Sequence, residues 1–307
     1  VKHALLPNVA NVASVVSLRH RYVLVVNSKT AGTTLKTIAA DLEREPLAAR
    51  GLNLREDRAQ RQENWLTTPT LADLSADALR EVFLGGSFFR FTTVRHPFSR
   101  CWSAWIDKVI GGHPEFVGRF AREGWFPAEL SDPASLIEAF ERFVWALDER
   151  VGLVGSDRHW APQHLVLQWG AFPYDFVGKT EHFDEVLSRW EEFTGLPVRA
   201  SSRKIGKRNV RGLSFPGGLL SEETWSRLLS LYRLDLAAFD YAPNRDLWQV
   251  DRSEWDAAAC RLLQQQCTAP VRAGNRSRVG DAWRQLRIQG SRGSRRLSAR
   301  RSPPGRG

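Results

Sequence analysis

The run Tyr22-Val-Leu-Val-Val26 is continuous, β-branched and uncharged, the pattern of a strand buried on both faces. It passes through a short polar loop into a helical segment, Thr33 to Arg44. The same order recurs downstream: Phe88-Phe-Arg-Phe-Thr-Thr-Val94, the turn Arg95-His-Pro-Phe98, then an amphipathic helix from about Ser99 to Ile110. Strands that need cover on both faces, each followed by a helix able to give it, constrain the chain to a mainly parallel sheet between helical layers. Tyr174-Asp-Phe-Val-Gly178 is a third candidate strand. Helices are predicted over Pro133 to Leu147, Phe183 to Thr194 and Ser221 to Ala238, with Ser221 as a cap. Another is capped by Ser75, runs through Phe83 and is stopped by Gly85-Gly86, whereas Glu45 to Thr70 is polar and reads as a surface excursion. In such sheets ligands bind at the carboxyl ends of the strands, which directs attention to the loops after Val26 and Val94.

Charge and composition bound the function classes. The 307 residues are 42% hydrophobic, enough for a sizeable buried core, and disorder is excluded as the main state. The formal charge of +10 sits entirely in residues 271–307, which hold 11 Arg and one acid, Asp281. The body, residues 1–270, is therefore neutral and is not a general nucleic-acid surface. Arg, Ser, Gly and Pro dominate the tail, so a disordered appendage is expected there. Cys101, Cys260 and Cys267 are too few for a disulfide scaffold and point to a reducing compartment. No apolar stretch approaches the ~20 residues of a membrane span, and Pro7, Asn8 and Asn11 interrupt what would be a secretory signal. A cytoplasmic protein, with room for peripheral membrane contact through its tail, is the expectation.

Asn27-Ser-Lys-Thr-Ala-Gly-Thr-Thr34 has the parts of a phosphate cradle. Gly32 allows a tight turn, the amides opening the helix are unpaired donors, and the helix dipole adds positive potential. Thr30, Thr33 and Thr34 add hydroxyls, and Lys29 adds a mobile cation. An ordinary strand-to-helix turn has the same composition. The order is not G-x-x-x-x-G-K-[ST], which disfavours ordinary ATP or GTP hydrolysis. In the second loop Arg95 directly follows a strand and Ser103 lies eight residues on, a fork and a hydroxyl suited to one anion. Arg100 reads equally as a contributor or as an exposed helical arginine, and His96 reads as a turn residue.

Four blocks together resemble the carbohydrate sulfotransferases. Lys29-Thr-Ala-Gly-Thr-Thr34 is similar to their 5′-phosphosulfate loop, and Phe91-Thr-Thr-Val-Arg-His-Pro-Phe-Ser-Arg-Cys-Trp-Ser-Ala-Trp105 to their 3′-phosphate motif. Asp157-Arg-His-Trp-Ala-Pro-Gln163 and Tyr174-Asp-Phe-Val-Gly-Lys-Thr-Glu181 resemble two further blocks of the Golgi chondroitin and dermatan enzymes, in family order over about residues 22–240. The resemblance implies a P-loop-like three-layer α/β fold with a mainly parallel sheet flanked by helices. It also implies 3′-phosphoadenosine 5′-phosphosulfate (PAPS) as donor, with Lys29, Thr30, Ala31, Gly32, Thr33 and Thr34 at its 5′ end and Arg95 and Ser103 at its 3′-phosphate. The implied reaction is transfer of the sulfuryl group to a hydroxyl of a carbohydrate or glycolipid, without a metal. Ser28 stands where the Golgi enzymes usually have Pro, and residues 164–173 lack their cysteines, which fits a bacterial-type relative and leaves the acceptor open.

A hydroxyl acceptor needs a base. His159 is the candidate, since imidazole titrates near neutrality, with packing beside Trp160 the competing reading and Glu181 and His164 in reserve. Arg203, Lys204, Lys207, Arg208 and Asn209 form a basic segment that either closes over the nucleotide or is a solvated loop. Trp125 or Trp65 offers a stacking face for a sugar. Two other functions stay open: a noncatalytic polyanion binder that uses the tail and keeps a vestigial nucleotide site, and a kinase, which would need a magnesium carboxylate.

Overall fold

The computed structural model of the chain describes residues 12–43, 68–127, 130–150, 152–205 and 213–268. By contacts the chain divides into two compact units, each assembled from separate stretches. The first takes residues 1–101, 150–211 and 228–243, and the second takes 102–149, 212–227 and 244–307.

The first unit is the α/β part. Its sheet has the order β1 (Ser14–Ser17), β2 (Tyr22–Val25), β3 (Phe89–Val94), β4 (Phe176–Lys179). β1 pairs antiparallel with β2 across a short turn, while β2, β3 and β4 run parallel, with Val25 opposite Thr92 and Val94 opposite Lys179. The three parallel strands are the three expected; β1 is not among them, because Ser14-Val-Val-Ser17 is too short and too polar at its ends to announce itself. Residues alternate across the sheet as the pleat requires. Tyr22, Leu24, Phe89 and Phe91 face one way, onto Leu35 and Ile38 of helix α1 (Gly32–Leu42) and Trp190 of a later helix, Phe183–Thr194. Val23, Val25 and Val94 face the other way, onto Val82 and Phe83 of α2 (Ala76–Leu84) and onto Leu167 and Phe172. The uninterrupted apolar run of β2 is thus spent on two separate cores, and the sheet is the middle of three layers.

Caps set the helix ends. The Ser75 hydroxyl accepts from Ala78 N–H at 3.3 Å and opens α2, and Gly85 closes it. After β3 comes α3 (Pro97–Trp105), which continues as a π-helical turn, Ile106–Ile110.

The second unit is helical in the described residues. It is built on α4 (Pro114–Phe120) and α5 (Pro133–Glu149) around an aromatic core in which Trp102 and Trp105 pack on Phe140, and Trp125 on Phe120 and Phe143. Trp125 is therefore a core residue rather than a stacking face, and Trp65 lies outside the described residues.

The remaining helices are α6 (Gln163–Val166), α7 (Phe183–Thr194), α8 (Val198–Ile205), α9 (Glu222–Ala238) and α10 (Arg252–Thr268). The Ser221 hydroxyl accepts from Thr224 N–H at 3.2 Å, the expected cap of α9. Arg203 and Lys204 end α8, with Lys204 Nζ 3.6 Å from Asp41. Lys207, Arg208, Asn209 and the tail 271–307 fall outside the described residues. No described helix is long and apolar enough to cross a membrane.

Candidate functional site

Because β2 and β3 are adjacent and parallel, the loops that follow them leave the same edge of the sheet, strands being about 4.8 Å apart. Lys29 and Arg95 are on that common edge.

The first loop is strained in a specific way. Lys29 and Ala31 both have left-handed backbone, φ 68° and 59°, on either side of Thr30. Such alternation of handedness turns successive amides toward one point, the geometry of anion-binding concavities. Gly32, by contrast, has no left-handed angle; it is required for space. A Cβ there would lie 3.0 Å from the Asn27 carbonyl oxygen and 3.0 Å from Val26 Cγ1. The expected tight turn is real, but its unusual angles fall on Lys29 and Ala31. No side chain caps α1, and its first intrahelical bond among the opening residues is Leu35 N–H to Ala31 O at 3.0 Å, so the Gly32, Thr33 and Thr34 amides remain as donors at its positive end. Thr33 is exposed and Thr34 is nearly buried. Thr30 is fully buried: its hydroxyl donates to Asn27 O at 3.1 Å, and Thr93 Oγ1 donates to Thr30 O at 2.6 Å. Its hydroxyl is committed to holding the loop on β3, leaving its amide as the group it can offer a ligand.

Behind this loop lies a layer of polar side chains that spacing alone did not reveal. Arg100, on α3, is completely buried and donates to Ser28 O at 2.9 Å, Ala161 O at 2.8 Å and Arg158 O at 2.7 Å, with Asn27 Oδ1 at 3.4 Å. It is neither exposed nor a ligand to anything outside; it is a strut. Arg158 returns to the same loop, donating from Nε to Ser28 Oγ at 3.0 Å and from its terminal nitrogen to Val26 O at 2.9 Å. Ser28, the departure from the family pattern, thus has a dedicated partner. Burial lowers the pKa of Arg95, Arg100 and Arg158 alike, and it lowers that of Lys36, one turn into α1, where Arg158 adds repulsion. The arginines stay charged nonetheless. Desolvated cations that repel one another are relieved by an arriving anion.

In the second loop Arg95 Nε donates to Ser99 Oγ at 3.1 Å, and the nearby Glu181 carboxylate favours its charge against the cost of burial. Ser103 is half-buried on α3, six residues past the start of the helix and about 9 Å along its axis. His96 is buried, with Nε2 3.2 Å from Ala242 O, and burial lowers its pKa. Glu181 braces this turn: it accepts from His96 N–H at 2.9 Å with one oxygen and from the Tyr241 hydroxyl at 3.0 Å with the other. Both of its oxygens accept hydrogen bonds in this arrangement.

His159 and His164 each pair with a carboxylate. His159 Nδ1 is 2.6 Å from Asp157 Oδ1, and His164 Nδ1 is 2.7 Å from Asp235 Oδ1. An ionised carboxylate can only accept, so each ring donates from Nδ1 and leaves Nε2 as its basic nitrogen. Asp235 is fully buried and also accepts from the backbone N–H groups of His164 and Gln163. His159 keeps 23% of its side chain exposed, and the Asp157 carboxylate also accepts from the His159 amide at 2.9 Å. No group of metal-ligating side chains occurs among the described residues.

Comparison with known proteins bears on what this edge of the sheet is for. Human carbohydrate sulfotransferase 14 is 28% identical over 187 residues, covering 56% of this chain and 46% of the human protein, so the chain spans less than half of that relative. No solved structure matches the chain. Cytoplasmic residence finds no support in these likenesses. The profile of the sulfotransferase family matches residues 13–242, taking in both loops, both histidines and the whole sheet, and the chain belongs to that family.

Proposed function

We propose that the protein transfers the sulfuryl group of PAPS to a hydroxyl of a carbohydrate or glycolipid acceptor. The observation that carries this reading is the pair of anion-suited loops leaving adjacent parallel strands at one edge of the sheet. The amides of Gly32, Thr33 and Thr34 and the Lys29 ammonium take the 5′-phosphosulfate; Arg95, with Ser103, takes the 3′-phosphate. The likeness to a protein named as a carbohydrate sulfotransferase supports the acceptor class.

In the reaction the bond from sulfur to the bridging phosphate oxygen breaks and a bond from sulfur to the acceptor oxygen forms. The bridging electron pair leaves with adenosine 3′,5′-bisphosphate, and the acceptor proton goes to a base. Lys29 and the loop amides offset the charge growing on the leaving oxygen. His159 takes the proton at Nε2, with Asp157 holding the ring in that tautomer.

The test is transfer of labelled sulfate from PAPS to a panel of saccharides and glycolipids. Lys29→Ala is expected to lower turnover at saturating donor by about 10²–10³-fold, the scale of losing one preorganised charge-stabilising donor, with an unchanged circular dichroism spectrum. His159→Ala is expected to lose the acid limb of the pH profile. Wild-type turnover in Lys29→Ala overturns the assignment, and bisphosphate binding without transfer to any acceptor leaves a nucleotide-binding protein instead.

A further inference from the structure

The first and second loops meet through one side chain. Gln163 is fully buried, and its amide oxygen accepts from Asn27 Nδ2 at 3.0 Å and from Arg95 N–H at 3.0 Å. Its amide nitrogen donates to Arg95 O at 2.8 Å. The pairing with Arg95 thus uses both backbone groups of the residue, as a neighbouring strand would, at the point where β3 has ended. Asn27 opens the loop that carries Lys29, and its Nδ2 also donates to Thr93 O at 3.2 Å. Gln163 is itself fixed from behind, its backbone N–H donating to the buried Asp235 carboxylate at 2.7 Å.

We infer that Gln163 is a positioning residue that sets the spacing of the two anion loops, and so makes the site select a nucleotide phosphorylated at both ends over one phosphorylated at either end. This rests on the donor reading above. A rigid bridge gains nothing for a ligand that uses one loop only. A ligand that must touch both gains from a spacing already fixed, because the ordering cost was met on folding rather than on binding. A hydrogen-bonded amide suits the task because both loops present it with backbone or amide groups whose positions it can fix at about 3 Å, and because leaving any of them unpaired in the interior is costly.

The experiment measures dissociation constants for adenosine 3′,5′-bisphosphate, adenosine 5′-monophosphate and adenosine 3′-monophosphate. It compares the wild-type protein with Gln163→Met, which keeps the volume and loses the bonds. The expected result is a fall of tenfold or more in the preference for the bisphosphate, with each monophosphate changed less than about threefold. A purely structural role would weaken all three ligands together. Gln163→Asn, which keeps the amide but draws it back by one methylene, is measured beside it and should show the same fall. An unchanged preference in a folded variant overturns the inference, as does a loss of folded protein in both variants, which would make Gln163 a core residue only. Wild-type protein that binds none of the three nucleotides overturns the donor reading itself and is thereby distinguished.

Discussion

Arg100 carries a full charge into the interior, where carbonyl and amide oxygens accept four hydrogen bonds from it and the buried Asp235 carboxylate favours the charge from a distance. Removing the side chain strands those acceptors, each worth about 1–3 kcal/mol when buried and unpaired. Arg100→Ala is therefore expected to cost more than about 3 kcal/mol in urea unfolding, and Arg100→Lys to recover little, since an ammonium cannot span three carbonyls as a planar fork does. A loss below about 1 kcal/mol for the alanine variant would contradict the strut. Spacing cannot reveal this role, because helical arginines are usually exposed and burial is decided by the segment that folds over them, here Arg158 to Ala161. His96 supplies a pH test. Its folded pKa is depressed by burial, so below the unfolded value of about 6.5 the unfolded chain binds the extra proton. Stability is then complete above that pH and falls as the pH drops below it. Comparing urea midpoints at pH 7.5 and 5.5, the wild type should lose more than His96→Gln; equal losses would sink the assignment.

At the scale of elements, the strand and helix pattern was largely legible, because periodicity reports burial directly: β2, β3 and β4 lie where apolar runs place them, and α7 has the expected bounds Phe183–Thr194. The first loop was legible as an anion cradle in composition but not in conformation. Left-handed backbone fell on Lys29 and Ala31, residue types that do not advertise it, while the glycine that draws the eye serves clearance. This yields opposite expectations for neighbouring positions. Ala31→Gly should be neutral or stabilising, by up to about 1 kcal/mol, since it relieves a left-handed residue. Gly32→Ala should destabilise by about 1–3 kcal/mol and weaken bisphosphate binding, since backbone oxygen cannot move aside cheaply. Thermal melts and nucleotide titrations of the pair check it, and the reverse order would refute the division of roles. The long-range ties of the site, Gln163 to Asn27 and Asp235 to Gln163, link residues far apart in sequence and carry no local signature at all.

Over the whole molecule, charge and fold are separable. The body is neutral and holds the family match, and the net charge of +10 belongs to residues 271–307. Deleting that tail should leave bisphosphate affinity within about twofold and abolish any salt-sensitive binding to heparin or anionic vesicles, because counterion release scales with the cations engaged. A parallel loss of nucleotide affinity would place the tail in the site.

The interleaving of the two units has a cost in time. Asn27 and Asp235 belong to one unit but are separated by about 200 residues of chain, which a ribosome delivers in about 10–40 s. Once β3 has been made, the nascent chain owns the sheet's first parallel pair but still lacks the carboxylate that pins Gln163. No single cut in the gene would release either half as a contiguous product, and a stalled or prematurely terminated transcript yields a polypeptide that cannot finish the half it began.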